Sequence, residues 1–517
     1  MNDIFKRYIP KAIRIPLLIY ALFPHLMILS MFNMNSTFTA SFLDFETDDL
    51  QFLFAIAYAM VVSGLFIHTR FFHFFNVRSY LLIMTSLSVV IVFAMTLTTN
   101  NQLMMILRFI QGPLILFEGC IILPVLMVQL KSRHAKIIAY SLLYCLMLTS
   151  DKFSTSLIRF AIENFNHNMM LYIIILFHIG TLIIYLVCLN NNRIFVKKPL
   201  YQLNLAGIVL LIVSLISGAY FLIYGKKYDW FESGYIVVSF SISLLFGSLF
   251  VWYQKTVKRP LYHFEIFRSP RVVFGVILFF LFYMIRASLS NLYQIMSIVW
   301  HWPWTNILYI QYFNVAGSIL GVLLATVMLI KAVDFRYIFS LGFLLLAVSM
   351  IWFSAICFPD VSQILVAQPL FIEGVGQGVL FTPLVLYLTG GVDPNLASNA
   401  ALTGTATRFW SSMIGFSIMQ NLVLHLTTKH QNNLSFNLIP TNTQYESQWD
   451  IRYISNLGTH LSNDAHQLTA MSFKDEMVKQ SILLTNVEIF YSLFWLGLAV
   501  SILCFLYRPV SNFVKMR

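Results

Sequence analysis

Charge is what this sequence has least of. Only 10% of its 517 residues are Asp, Glu, Lys or Arg and 59% are hydrophobic, where a soluble protein carries about 25% charged residues. A deficit of that size excludes a large water-soluble core and points to a chain embedded in lipid. Cysteine is also scarce. The five present (Cys120, Cys145, Cys188, Cys357 and Cys504) all fall in apolar runs, with no CxxC pair. That excludes a disulfide framework and a thiolate cluster, and no metal or other cofactor is expected. No GxxxxGK[ST], HExxH or GxSxG string occurs. Without a phosphate-binding loop the chain is not expected to hydrolyse ATP or to be an enzyme; an ion gradient would have to drive any transport.

What is abundant is apolar sequence, with 48 Phe and 22 Met. A spanning helix needs about 20 mostly apolar residues. Fourteen stretches qualify, at roughly 15–39, 51–68, 79–98, 103–129, 137–158, 168–190, 203–224, 233–253, 272–297, 305–330, 337–357, 361–389, 398–426 and 482–507. One long polar segment, 427–481, is rich in Asn, Ser, Thr and Gln and belongs in water. The first apolar run follows a basic leader, Lys6 to Arg14, but it is too long for a signal peptide and is expected to be a retained span.

Fourteen spans place both termini on one side. With that side cytoplasmic, inner segments hold 22 Lys and Arg and outer segments hold seven; four lie within spans. This asymmetry is the positive-inside pattern, so the formal charge of +12 is a topology signal and not a nucleic-acid patch. The expectation is an inner (plasma) membrane protein with both termini cytoplasmic. The longest inner loop, "QKTVKRPLYHFEIFRSPR" (254–271), follows the eighth span. It suggests a first six-helix bundle (1–200), two additional helices (201–257) and a second six-helix bundle (258–517) carrying the outer segment 427–481. "RFIQG" (108–112) and "LFIEG" (370–374) each sit in the fourth span of their six. Paired repeats of this kind build many secondary transporters around a midplane site.

Ionisable residues inside spans are costly and face protein or a wet cavity. Arg108 and Gln111 form an RxxQG string with Gly112, whose small side lets a neighbouring helix approach. Arg108 has two readings, gating or coupling on one side and a structural ion pair or backbone cap on the other. Glu118 and Glu373 lie near the middles of spans four and twelve. Low dielectric favours the neutral carboxyl, so both are proton-site candidates; the alternative is a protonated, hydrogen-bonded Glu that packs helices. Asp151 and Lys152 are neighbours about 100° apart around span five, which favours a salt-bridge role over a transport role. Arg286 and Arg408 are the remaining buried cations, each able to pair with a buried acid.

Several of these stretches together resemble one family. They are the RxxQG string, "KRPLYHFEIFRSPRVVFG" (258–275), "GVGQGVLFTPL" (374–384), "ASNAALTGTATRFWSSMIGFSI" (397–418) and the long outer segment before the last span. The chain resembles the major facilitator superfamily, in its fourteen-span drug:proton antiporter branch of the EmrB/QacA type. The resemblance implies an all-α fold of two six-helix bundles plus two extra helices. It also implies proton-coupled export of amphipathic compounds by alternating access, with Arg108 tied to proton coupling. A periplasmic adaptor and an outer-membrane channel are the implied protein partners; the others are a small-molecule substrate, protons and membrane lipid. The family's acid in the first span is replaced here by "FNMNSTF". The expected coupling residues are therefore Arg108, Glu118, Asp151 and Glu373. The expected substrate-cavity residues are Asn35, Gln111, Arg286 and Arg408. An anionic metabolite or siderophore held by the buried arginines, or a non-transporting protein on the same fold, are the competing readings.

Overall fold

The computed structural model describes residues 4–31, 45–165, 168–193, 197, 204–258, 260–390, 392, 396–438 and 441–507. Among these residues the fold is helical, with a single isolated β-bridge, Phe5 to Leu189, tying the N-terminal segment to the end of the sixth helix. The long helices are α1 (Lys11–Ser30), α2 (Thr47–Phe74), α3 (Val77–Thr96), α4 (Asn101–Leu130), α5 (Ala135–Asn164), α6 (Met169–Cys188), α7 (Leu205–Tyr224) and α8 (Gly234–Thr256). The series continues with α9 (Pro270–Ala287), α10 (Trp304–Ile330), α11 (Phe335–Ala355), α12 (Gln363–Thr389), α13 (Ala397–Ser435) and α14 (Ser462–Leu506). A six-residue helix, Leu289–Gln294, and a π-helical turn, Ile295–Val299, prolong α9.

By length and composition twelve helices among the described residues are able to cross a membrane. The fourteen expected from sequence exceed that number by α5 and α13. Both are long enough, but α5 carries Asp151, Lys152, Arg159 and Glu163, and α13 is rich in Ser, Thr and Asn. Large apolar side chains stand exposed along whole helix faces, such as Ile83, Leu87 and Val90 on α3 and Leu176, Ile179 and Ile183 on α6. In water such a belt would be untenable; here it meets acyl chains, and the chain is a multi-pass membrane protein.

The helix contacts repeat. In the first half α2 packs on α4, α3 on α6 and α1 on α5; in the second, α10 packs on α12, α11 on α14 and α9 on α13. Each pair joins the same ordinal positions of its six. The two halves meet symmetrically as well, α5 against α10 and α2 against α13. The pair α7–α8 lies against α2 and α13, with Trp230 Nε1 donating to Asn421 Oδ1 at 3.0 Å.

Small residues set the closest approaches. "GSILG" (317–321) on α10 faces "GVGQG" (374–378) on α12. A Cβ at Gly317 would run into Phe371 O, and one at Gly374 into Asn314 O. These are two GxxxG stripes in backbone contact. Gly112 plays the same part between α4 and α2, where a Cβ would strike Ala57 O.

The polar segment 427–481 is largely helical. It forms the end of α13, a connecting helix Thr443–Leu457 and the start of α14. At 1.5 Å per residue the 39 residues of α13 and 45 of α14 reach about 58 and 68 Å, far beyond a hydrocarbon core of about 30 Å. The projecting part is held by Trp449 stacked on Phe473 (5.8 Å between centroids) and by Arg452 paired with Glu476 at 2.6 Å.

Candidate functional site

A cavity of about 790 Å³ lies between the halves. Its mouth carries Glu46 and Asp48 at the start of α2 and Lys226 and Lys227 after α7. Glu46 binds Lys227 and holds that ammonium above its ordinary range. Deeper in, Asp151 and Lys152 come from α5 and Arg286 from α9. Lys152 Nζ folds back onto Asp151 Oδ2 at 2.9 Å, and Arg286 Nη2 stands 3.8 Å from the same oxygen. Although adjacent helical positions diverge by about 100°, the four-carbon lysine stem is long enough to return its ammonium to its neighbour. Asp151 thus joins its own half to the other. Phe54, Tyr58, Tyr283, Tyr293 and Phe416 supply aromatic walls. The irregular stretch after α9 contributes Ser290, Asn291 and Gln294, a place where broken helix geometry exposes polar groups to a cavity.

The far end is sealed by contacts between the halves. Tyr144 on α5 meets Phe381 on α12 edge-on at 5.0 Å, and Thr326 Oγ1 on α10 donates to Ser141 Oγ at 2.8 Å. Arg408 belongs to this floor. Its guanidinium lies 5.7 Å from the Tyr144 ring, Nε donates to Gly404 O and Nη2 to Thr405 Oγ1.

Of the residues singled out from sequence, the structure brings Asp151 and Arg286 into the cavity and puts Arg408 beneath it. Asn35 lies outside the described residues. Arg108 and Gln111 are fully buried inside the first half. Arg108 donates to Ile28 O at 2.9 Å, Leu29 O at 3.2 Å, Leu53 O at 3.3 Å and Gln111 Oε1 at 2.6 Å. Ile28 and Leu29 belong to the last turn of α1, and a cation there meets the negative end of the helix dipole. This is the backbone-capping geometry. Arg108→Ala would leave these buried carbonyls with one donor fewer each, at about 1–3 kcal/mol per group. We expect it to lower the thermal midpoint of the purified protein by several degrees, while Arg108→Lys recovers part of the loss.

Glu118 and Glu373 are likewise inside their halves and not on the cavity wall. Glu373 accepts from Asn314 Nδ2 and Gln377 Nε2. Glu118 Oε1 accepts from Ser88 Oγ at 2.8 Å, and its Oε2 stands 2.6 Å from His25 Nδ1. Sequence reasoning missed Lys152 and the tyrosines as cavity groups, and it passed over His25 and His178. Two imidazoles in apolar runs, "LFPHLMI" and "ILFHIGT", belong to the same class of signal as the buried carboxylates.

The arrangement, two pseudo-equivalent helical halves around a central cavity open at one end, is that of the major facilitator superfamily, and comparison with solved structures shows that fold. The proton:xylose symporter XylE superposes with a TM-score of 0.53 at 12% identity, over 95% of this chain and 94% of its own. A peptide transporter POT gives 0.59 at 11% identity, over 98% and 96%. In sequence the chain is similar to the multidrug export protein EmrB of Escherichia coli K12, 21% identical over 295 residues, 56% of this chain and 55% of that one. EmrB of Haemophilus influenzae is 22% identical over 244 residues, 46% of each chain. The chain spans about half the length of the curated relatives it matches. No protein-family model matches it.

Proposed function

We propose that this protein is a secondary active transporter, a proton-coupled exporter of amphipathic drugs or toxic compounds working by alternating access. The observation that carries the reading is the 790 Å³ cavity between the halves, lined by Asp151, Lys152, Arg286 and five aromatic rings. The likeness to multidrug export relatives supports the substrate class. In this reading fourteen spans divide as 1–200, 201–257 and 258–517, with both termini in the cytoplasm of an inner-membrane protein. The cavity mouth at the start of α2 then faces outward, and the Arg408–Tyr144 floor closes the cytoplasmic side. Asp151 is the proton-coupling acid. A periplasmic adaptor and an outer-membrane channel would meet the projecting ends of α13 and α14.

One observation favours a second reading. In the depth of the cavity, beyond the Glu46, Asp48, Lys226 and Lys227 of its mouth, two cations, Lys152 and Arg286, face one acid, Asp151, which suits an anionic metabolite. Proteoliposomes loaded with a fluorescent cationic amphiphile or with an anionic dye separate the two. Under an imposed pH gradient the first reading expects flux of the cation at least about tenfold above that of the anion. The reverse preference establishes the second. Flux of neither, with the protein folded and correctly inserted, rejects both.

A further inference from the structure

His25 on α1, Glu118 on α4 and His178 on α6 are far apart in sequence, and no motif joins them. The fold brings one nitrogen or oxygen from each within 4.8 Å of the others. All three are buried, His25 at 1% exposure and the other two at 0%. His178 Nδ1 lies 2.9 Å from Ile174 O, one turn back on its own helix. A carbonyl only accepts, so the proton sits on Nδ1 and the Nε2 lone pair is free. That Nε2 has no hydrogen-bond partner, and neither has His25 Nε2.

An ion pair between His25 and Glu118 leaves much of this unexplained. It uses His25 Nδ1 and Glu118 Oε2 and gives His178 Nε2 nothing, although a buried polar atom left unmade costs about 1–3 kcal/mol. The surroundings deepen the discrepancy, since Tyr80 Oη, Thr85 Oγ1 and Tyr185 Oη are also buried without partners.

We propose that His25, Glu118 and His178 form a binding site for a divalent first-row transition metal, of which zinc is the reference ion, inside the first half of the fold. Two imidazoles and one carboxylate are the donor set of three-ligand zinc sites, in which water or hydroxide takes the fourth position. Ligand bonds of about 2.0–2.2 Å in a tetrahedral site put donor atoms roughly 3.4 Å apart. Side-chain rotations would bring the triad to that spacing, opening the 2.6 Å contact of His25 with Glu118 and closing the wider gaps, which reach up to 4.8 Å. Outer hydrogen bonds of the kind that hold metal ligands are already in place, Ile174 O on His178 and Ser88 on Glu118. Binding replaces the contact between His25 Nδ1 and Glu118 Oε2, and the ion then cross-links α1, α4 and α6. The cavity-lining residues are not involved, so the proposal stands or falls independently of the transport reading.

The test uses the full chain, purified on a tag without histidines, stripped with chelator and held in lipid nanodiscs. It is titrated with Co²⁺ and followed by visible absorption; after Zn²⁺ incubation and desalting its metal content is measured. The expected result is about one equivalent per chain, falling below about 0.1 equivalent in His178→Ala and in Glu118→Gln. Ser88→Ala should weaken affinity about 10-fold or more, since it removes an outer hydrogen bond. Wild-type protein that retains less than about 0.1 equivalent overturns the proposal whether or not any variant folds. Stoichiometric metal that persists unchanged in folded His178→Ala does so as well.

Discussion

Asp151→Asn should lower transport driven by a pH gradient at least about 30-fold while leaving energy-independent exchange of substrate in place. The asparagine keeps the shape of the side chain and its capacity to accept a hydrogen bond. It cannot carry a proton, and it withdraws the negative charge that two cations share. Lys152 Nζ and Arg286 Nη2 stand 2.9 and 3.8 Å from Asp151 Oδ2. Removing one member of a buried pair costs about 3–5 kcal/mol. Arg286 retains 24% side-chain exposure, so solvent screens part of this, and about 2–3 kcal/mol remains, equivalent to about 30- to 140-fold at 1.4 kcal/mol per decade. Because the Asp151–Arg286 contact spans the two halves, the charge on Asp151 biases their relative position. In the proposed mechanism, loss of the negative charge on Asp151 would release Arg286 and let the halves rock, and its return would hold Arg286 again. Counterflow and gradient-driven flux in the same proteoliposomes read the two effects separately. Gradient-driven flux equal to wild type in Asp151→Asn would remove this residue from the coupling.

The class of fold was legible because lipid imposes it. Scarce charge and runs of about 20 apolar residues are both forced by burial in hydrocarbon. Helix positions followed for the same reason, and α5 could be recognised as a helix even with Asp151 and Lys152 in it, although twelve and not fourteen of the described helices have the length and composition of spans. What the sequence concealed was which way each buried charge points. Arg108 and Arg286 read alike as lone arginines in apolar runs, yet one caps the end of α1 inside its half and the other enters the cavity. The difference lies in rotation about the helix axis and in which helix stands opposite, and both come from packing. Glu118 shows the same limit. Its partners are 30, 60 and 93 positions away, at Ser88, His178 and His25, so no spacing rule could have assembled them. Helicity in 427–481 was hidden for another reason. Its Asn, Ser and Thr residues are weak helix formers, and the pairing of Trp449 with Phe473 and Arg452 with Glu476 supplies what propensity lacks.

The short echo between "RFIQG" and "LFIEG" has a structural meaning that its length alone could not establish. Gly112 and Gly374 close the two strings, and each is where the fourth helix of a half touches the backbone of the second. Gly374→Val is therefore expected to be the most damaging single change away from the charged groups. Its Cβ would overlap Asn314 O and press on Ser318 N, and neither can rotate away as a side-chain tip would. Overpacking costs about 1–3 kcal/mol where side chains can adjust. Here α10 and α12 must separate along a seam where Gly317, Gly321 and Gly378 also sit in backbone contact, so every contact in the stripe loosens together. We expect loss of the monodisperse peak on size-exclusion chromatography in detergent, with Gly112→Val failing similarly. Gly119→Ala, whose added carbon meets only Leu22 Cδ1 at 3.9 Å, should behave as wild type. A folded, fully thermostable Gly374→Val protein would show that the helices are not held at that distance, and would count against the two-fold relation between the halves drawn from these glycines.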